Sequence, residues 1–139
     1  MPETNRQILL KSRPEGAPGA GNFELVETPL PQLGAGQVLR RTIWLSVDPY
    51  MRGRMSEAKS YAAPAKLGEP MVGATVSQVV ASDNPRFAPG DFVLGYDGWQ
   101  SYGIDNGKGL RGLDPSQAPI SYSLGVLGMP GLTAYVALL

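Results

Sequence analysis

Met71-Val72-Gly73-Ala74-Thr75-Val76-Ser77-Gln78-Val79-Val80-Ala81 is the stretch on which the fold turns. Val72, Ala74 and Val76 share one parity, and Thr75, Ser77 and Val79 the other. The segment therefore reads as a β-strand whose side chains alternate between two faces. Asp83-Asn84-Pro85 closes it as a turn. Phe87-Ala88-Pro89-Gly90-Asp91-Phe92-Val93-Leu94 then gives a tight turn feeding a second apolar strand. Upstream, Gln37–Leu45 alternates in part, with Val38, Ile43 and Leu45 set beside Arg40 and Arg41. Arg6–Lys11, Phe23–Glu27 and Trp99–Ile104 are further short strand candidates. The pieces between them are rich in turn residues. Ser12–Gly21 carries Pro14, Gly16, Pro18, Gly19 and Gly21; Ser56–Pro70 is a small, polar, exposed excursion; Asn106–Gly112 is a glycine-rich loop. About seven short strands joined by frequent turns predict a mainly β fold, a barrel or a sandwich.

The composition agrees with that reading. The chain has 139 residues, enough for one domain with its own core. Its 18 glycines and 13 prolines exceed the average combined share of about 12%, and they punctuate apolar runs instead of forming a linker. Twelve basic side chains balance 12 acidic ones, so no surplus charge points to nucleic acid or an anionic membrane. No run approaches the ~18 apolar residues of a membrane span. The polar start, Met1 to Arg6, leads into Ile8–Leu10, too short for a signal-peptide core. A cytoplasmic location is expected, with no membrane and no nucleic-acid partner. There is no Cys and no His. Disulfides, thiolate chemistry and histidine-dependent hydrolysis are thereby excluded within the chain. The commonest zinc ligands are missing and the acids are scattered, so no metal site is expected.

The C-terminal segment follows another period. Leu132, Tyr135, Val136 and Leu139 fall at i, i+3, i+4 and i+7, one face of a helix, and Pro130 suits its first position. Ala134, Ala137 and Leu138 make the other face apolar as well. Such a helix expects neighbours on several sides. The chain reads as cut within an element: residues 1–128 form one domain, and 129–139 begin a helix leading to a domain not included.

Leu45-Ser46-Val47-Asp48-Pro49-Tyr50-Met51-Arg52-Gly53-Arg54-Met55 sets a tyrosine beside a rigid Asp-Pro corner, with two arginines after it. By pattern alone Tyr50 is a turn tyrosine with a packed ring and a wet tip. Asp48 fits as the cap of a helical turn at Pro49–Met51, and Arg54 as a solvated turn residue. Trp99 and Tyr102 read as strand aromatics of the core, with a pocket wall as the alternative.

Four segments, in order, resemble the zinc-free medium-chain reductases of the leukotriene B4 dehydrogenase, prostaglandin reductase and curcumin reductase type. They are Leu45–Met55, Gly68–Gly73, Phe87–Val93, and Leu127-Gly128-Met129-Pro130-Gly131-Leu132-Thr133-Ala134-Tyr135. The resemblance implies a GroES-like, partly open β-barrel with short helices, serving as the substrate-side domain. An NADPH-binding Rossmann domain would follow Leu139. No G-x-G-x-x-G stands here between a strand and a helix, so the chain alone is expected to bind NADPH weakly or not at all.

The implied reaction saturates the C=C bond of an α,β-unsaturated ketone or aldehyde. Hydride goes to the β-carbon, an enolate forms, and no zinc takes part. Tyr50 is the implied catalytic donor, in contact with substrate or nicotinamide. Met129 and Thr133 are the implied nicotinamide neighbours, with Thr133 alternatively bonding back to its own helix. Arg52 has the fork for a cofactor phosphate, although the family holds the 2′-phosphate in the other domain. A small enone or enal is the implied partner, and the intact protein an implied homo-oligomer. Two other readings stay open. One is a quinone reductase of the same superfamily, which lacks the Asp-Pro-Tyr-Met-Arg run. The other is a free-standing GroES-like binding module, against which the loop Ser12–Gly21 offers no large aliphatic residue.

Overall fold

The structure, a computed structural model, describes residues 3–139; the first two residues of the polar start lie outside it. Two antiparallel sheets carry the fold, and they do not close into a barrel. The smaller pairs β1 (Thr4–Leu10) with β2 (Phe23–Pro29) across the Pro/Gly-rich loop. The larger has five strands: β3 (Val38–Leu45), β4 (Thr75–Ser82), β5 (Phe92–Gly95), β6 (Tyr102–Asp105) and β7 (Arg111–Leu113). Their spatial order is β6-β3-β4-β5-β7.

The opening stretch behaves as two pieces. Its strand begins at Thr75, not at Met71. Residues 70–74 leave the large sheet to stitch the two sheets together. Pro70 bridges Leu9, the Met71 amide donates to Ile8 O at 3.0 Å, and the Trp99 amide donates to Met71 O at 2.8 Å. The same tie displaces the Trp99–Ile104 strand, which starts at Tyr102, because Trp99 O accepts from the Ile8 amide instead. The Asn106–Gly112 loop yields a strand at its end: β7 pairs with β5, Leu94 facing Arg111.

β4 is central and buried on both faces. Val76 and Val79 are apolar contributors, while Thr75 and Ser77 are buried polar ones. Their hydroxyls donate to Asp97 Oδ2 at 3.2 and 3.3 Å. Asp97 pairs with Arg40, which β3 places wholly inside the sheet. Arg40 shares its strand parity with buried Val38 and lies inside with it, and the ladder with β4 is irregular between Leu39 and Arg40.

Apolar packing falls into two clusters. Val38, Val79, Phe87, Val93 and Leu110 fill one end of the large sheet. Leu10, Met51, Met55, Ala65 and Met71 fill the other, with Phe23 and Trp99 stacked against it at 5.4 Å between ring centres. Tyr102 is a buried strand residue, while Trp99 lies outside the strand and is partly buried against the second cluster.

Candidate active site

The helix α1 (Tyr50–Arg54) is one turn long and has two faces. Met51 and Met55, four residues apart, point into the second cluster and are almost fully buried. Burial of each such side chain is worth roughly 1.5–3 kcal/mol and locks the turn in place. Tyr50 and Arg54, also four apart, share the neighbouring face, turned about 100° from the methionines. Pro49 starts the turn with φ −56° and ψ −33°, already helical, which its ring enforces.

Asp48 does not cap the helix. Its carboxylate accepts from the Ser46 hydroxyl at 2.6 Å, and the main chain provides the capping bond, Met51 amide to Asp48 O at 3.1 Å. Ser46, two residues back, competes successfully for the carboxylate.

Tyr50 and Arg54 open onto a cleft of about 1130 Å³. Its floor is Val72, Gly73 and Ala74, where the chain passes from the stitch into β4. One wall is the β5–β7 edge, with Leu94, Tyr96 and Arg111. The other is the chain from the 3-10 helix Ile120–Leu124 into helix α2 (Met129–Leu138). Leu127, Met129 and Thr133 face the cleft from there. Close backbone approach shapes this wall: a Cβ on Gly131 would strike the Val126 carbonyl, so only glycine fits. Tyr61, from the exposed excursion, stands at the rim.

The structure thus brings together Tyr50, Met129 and Thr133. Thr133 donates its hydroxyl to Met129 O at 2.8 Å, so its proton is already committed to its own helix. Arg52 lies off the cleft. Its guanidinium donates to Gly16 O at 2.9 Å and Pro14 O at 3.2 Å, holding the Ser12–Gly21 loop against α1. Arg54, which the sequence places in solvent, lines the cleft instead. The four-residue spacing from Tyr50 was the signal for it. Tyr96 and Arg111 are added by strand pairing, and nothing in their local sequence announces them.

Among the described residues the Tyr50 hydroxyl makes no hydrogen bond within the chain. Burial raises its pKa, the charge of Asp48 raises it further, and nearby Arg54 opposes the rise. The net shift is upward, so the phenol keeps its proton at neutral pH and remains a donor. A free donor at one end of a largely apolar cleft suits a carbonyl oxygen on a flat, apolar molecule. No three acidic side chains converge among the described residues, and none of the described helices is long and apolar enough to cross a membrane.

Comparison with known proteins fixes the family. Residues 6–113 match the model of the N-terminal domain of oxidoreductases. The chain belongs to that family. It is 54% identical over 137 residues to the NADPH-dependent curcumin reductase of Escherichia coli, covering 99% of this chain and 40% of that protein. It is 45% identical over 133 residues to prostaglandin reductase 1 of Rattus norvegicus, covering 94% of this chain and 38% of that one. Among solved structures it superimposes on CurA of Vibrio vulnificus in complex with NADPH with TM-score 0.87 and 55% identity, covering 96% of this chain and 40% of the other. The chain therefore spans about 40% of the length of these relatives, and its two-sheet architecture is the GroES-like one of medium-chain reductases.

Proposed function

We propose that this chain is the substrate-side domain of an NADPH-dependent reductase that saturates the C=C bond of α,β-unsaturated ketones or aldehydes. The observation that carries the reading is the unbonded, protonated Tyr50 hydroxyl at the end of an apolar cleft whose far wall is the start of α2. Its similarity to a curcumin reductase and a prostaglandin reductase supports the same reaction class.

The residues fit a nicotinamide. The cleft offers Met129 and Leu127 for a flat apolar ring, and Arg54 and Arg111 as cations free of carboxylate partners among the described residues. When bound, NADPH supplies the hydride that the β-carbon accepts. The π electrons of the C=C bond then move toward the carbonyl and leave negative charge on its oxygen. Tyr50 donates a hydrogen bond to that oxygen, an interaction stronger in the transition state than in the ground state. A proton added at the α-carbon gives the saturated ketone. Met129 and Thr133 position the ring, and Val72 to Ala74 keep water from the floor. Arg52 serves indirectly, by anchoring the loop behind α1. In this reading no zinc takes part, and the oxyanion is held by side chains such as Tyr50. We take the intact protein to be a cytoplasmic homo-oligomer.

The experiment is reduction of 4-phenyl-3-buten-2-one by the protein made from its complete reading frame, using NADPH deuterated at the transferable position. Deuterium at the β-carbon of a saturated ketone is expected. Deuterium at the carbinol carbon of an allylic alcohol, or turnover of quinones alone, overturns the reading.

A further inference from the structure

The Tyr50 phenol does not face the cleft alone. Arg54 stands one helical turn away on the same face of α1 and lines the same cleft. Its Nε is buried with no hydrogen-bond partner, and no acidic side chain pairs with it among the described residues. A buried, unpartnered guanidinium nitrogen is costly and calls for an explanation. Asp48, the acid of this wall, is engaged by Ser46. The other groups facing Tyr50 are the phenols of Tyr61 and Tyr96, with Arg111 across the cleft. None of these neutralises Arg54. The Arg54 backbone is held separately, its carbonyl accepting from the Ala65 amide at 2.7 Å, so the helix does not depend on the guanidinium.

We propose that Arg54 and Tyr50 together form an oxyanion subsite: Arg54 takes up negative charge on a ligand oxygen that also accepts from the Tyr50 hydroxyl. The ligand class is an enolate or an isoelectronic phenolate. The inference rests on the reductase reading for its natural ligand, and deepens it by naming the cation that stabilises the developing enolate. The charge of Arg54 already reaches the phenol, since it opposes the upward shift of the Tyr50 pKa.

4-Nitrophenol tests the subsite, because its absorbance separates bound phenol from bound phenolate. The full-length protein is titrated across the probe's pKa as wild type, Arg54→Met and Arg54→Lys, with enone reduction assayed in parallel. The wild type is expected to bind phenolate in preference to phenol. Arg54→Met is expected to weaken phenolate binding roughly tenfold, the scale of a lost charge-assisted hydrogen bond, and to leave phenol binding within about twofold. Arg54→Lys is expected to restore part of the preference. Equal phenolate binding by wild type and Arg54→Met overturns the proposal, whatever the enone assay gives. Phenolate preference lost in Arg54→Met, in a protein that reduces no enone, supports the subsite and overturns only the assigned reaction.

Discussion

Arg40 and Asp97 form an ion pair inside the five-stranded sheet, with side-chain exposures of 1% and 4%. Asp105 adds a second carboxylate at 3.0 Å but stays half exposed. Burial alone lowers the pKa of Arg40, and hydrogen bonds and charge from Asp97, then Asp105, more than reverse this, so the guanidinium stays charged. Removing Asp97 leaves the buried Arg40 only the half-exposed Asp105 as counter-ion and takes the acceptor from Arg40 Nε and from the Thr75 and Ser77 hydroxyls. Asp97→Ala is therefore expected to cost about 3–5 kcal/mol, a large share of a typical domain's stability. Asp105→Asn, on the exposed partner, is expected to cost less than about 1 kcal/mol. Urea unfolding midpoints compare the two directly; equal losses refute the ranking.

The network also marks the limit of what the sequence pattern discloses. Thr75 and Ser77 look like the polar face of a half-exposed strand, yet they are buried because β4 lies in the middle of the sheet and Asp97 needs donors. Alternation records side-chain parity, not whether a second layer covers the polar face. The turns, the strands around them and α2 were legible, since proline, glycine and period 3.6 act locally. The motif Leu45–Met55 pointed to Tyr50. Arg54 was within reach of a helical wheel. Tyr96 and Arg111 were not, because the pairing of β5 with β7 is a non-local property.

Tyr50→Phe removes the donor and little else, since the ring stays. If the phenol carries oxyanion stabilisation, kcat/KM for an enone falls by about 10²-fold or more, with far-ultraviolet circular dichroism unchanged. The pH dependence follows from the upward shift of the pKa. The donor is intact below the ordinary tyrosine value of 10.0 and is lost only as pH climbs through the higher folded-state value. Any stability linked to that proton has the same sign: it is present below the unfolded pKa and lost on the alkaline side. The alkaline limb of the rate profile should disappear in Tyr50→Phe. Its persistence would assign the limb to another group.

Arg13 pins both ends of the 55–65 excursion. Its guanidinium donates to Met55 O at 3.0 Å and Ala65 O at 3.1 Å, and to Glu57 at 3.1 Å. The segment between includes the rim residue Tyr61 and buries almost nothing of its own. Arg13→Met is expected to loosen it and to raise limited proteolysis there about tenfold, as local opening becomes easier by roughly 1.4 kcal/mol. Global stability, read from urea unfolding, should change much less. A uniform loss of stability without selective cleavage would mean that Arg13 supports the whole core.

Helix α2 exposes Leu132, Tyr135, Val136 and Leu138, each more than half accessible, and none of its residues is buried. Apolar area of this kind on a folded surface marks a contact face. The 139-residue chain by itself is expected to self-associate through it. Sedimentation velocity across a concentration series should show the mean mass rising in the wild type. Val136→Glu, which sets a carboxylate in the face without touching the cleft, should hold the chain monomeric, because a charge buried at an interface without a partner is strongly unfavourable. A wild type that stays monomeric at high concentration removes this role from α2. An associating Val136→Glu variant moves the contact elsewhere, with the exposed Trp44 and Val47 as the next apolar surface.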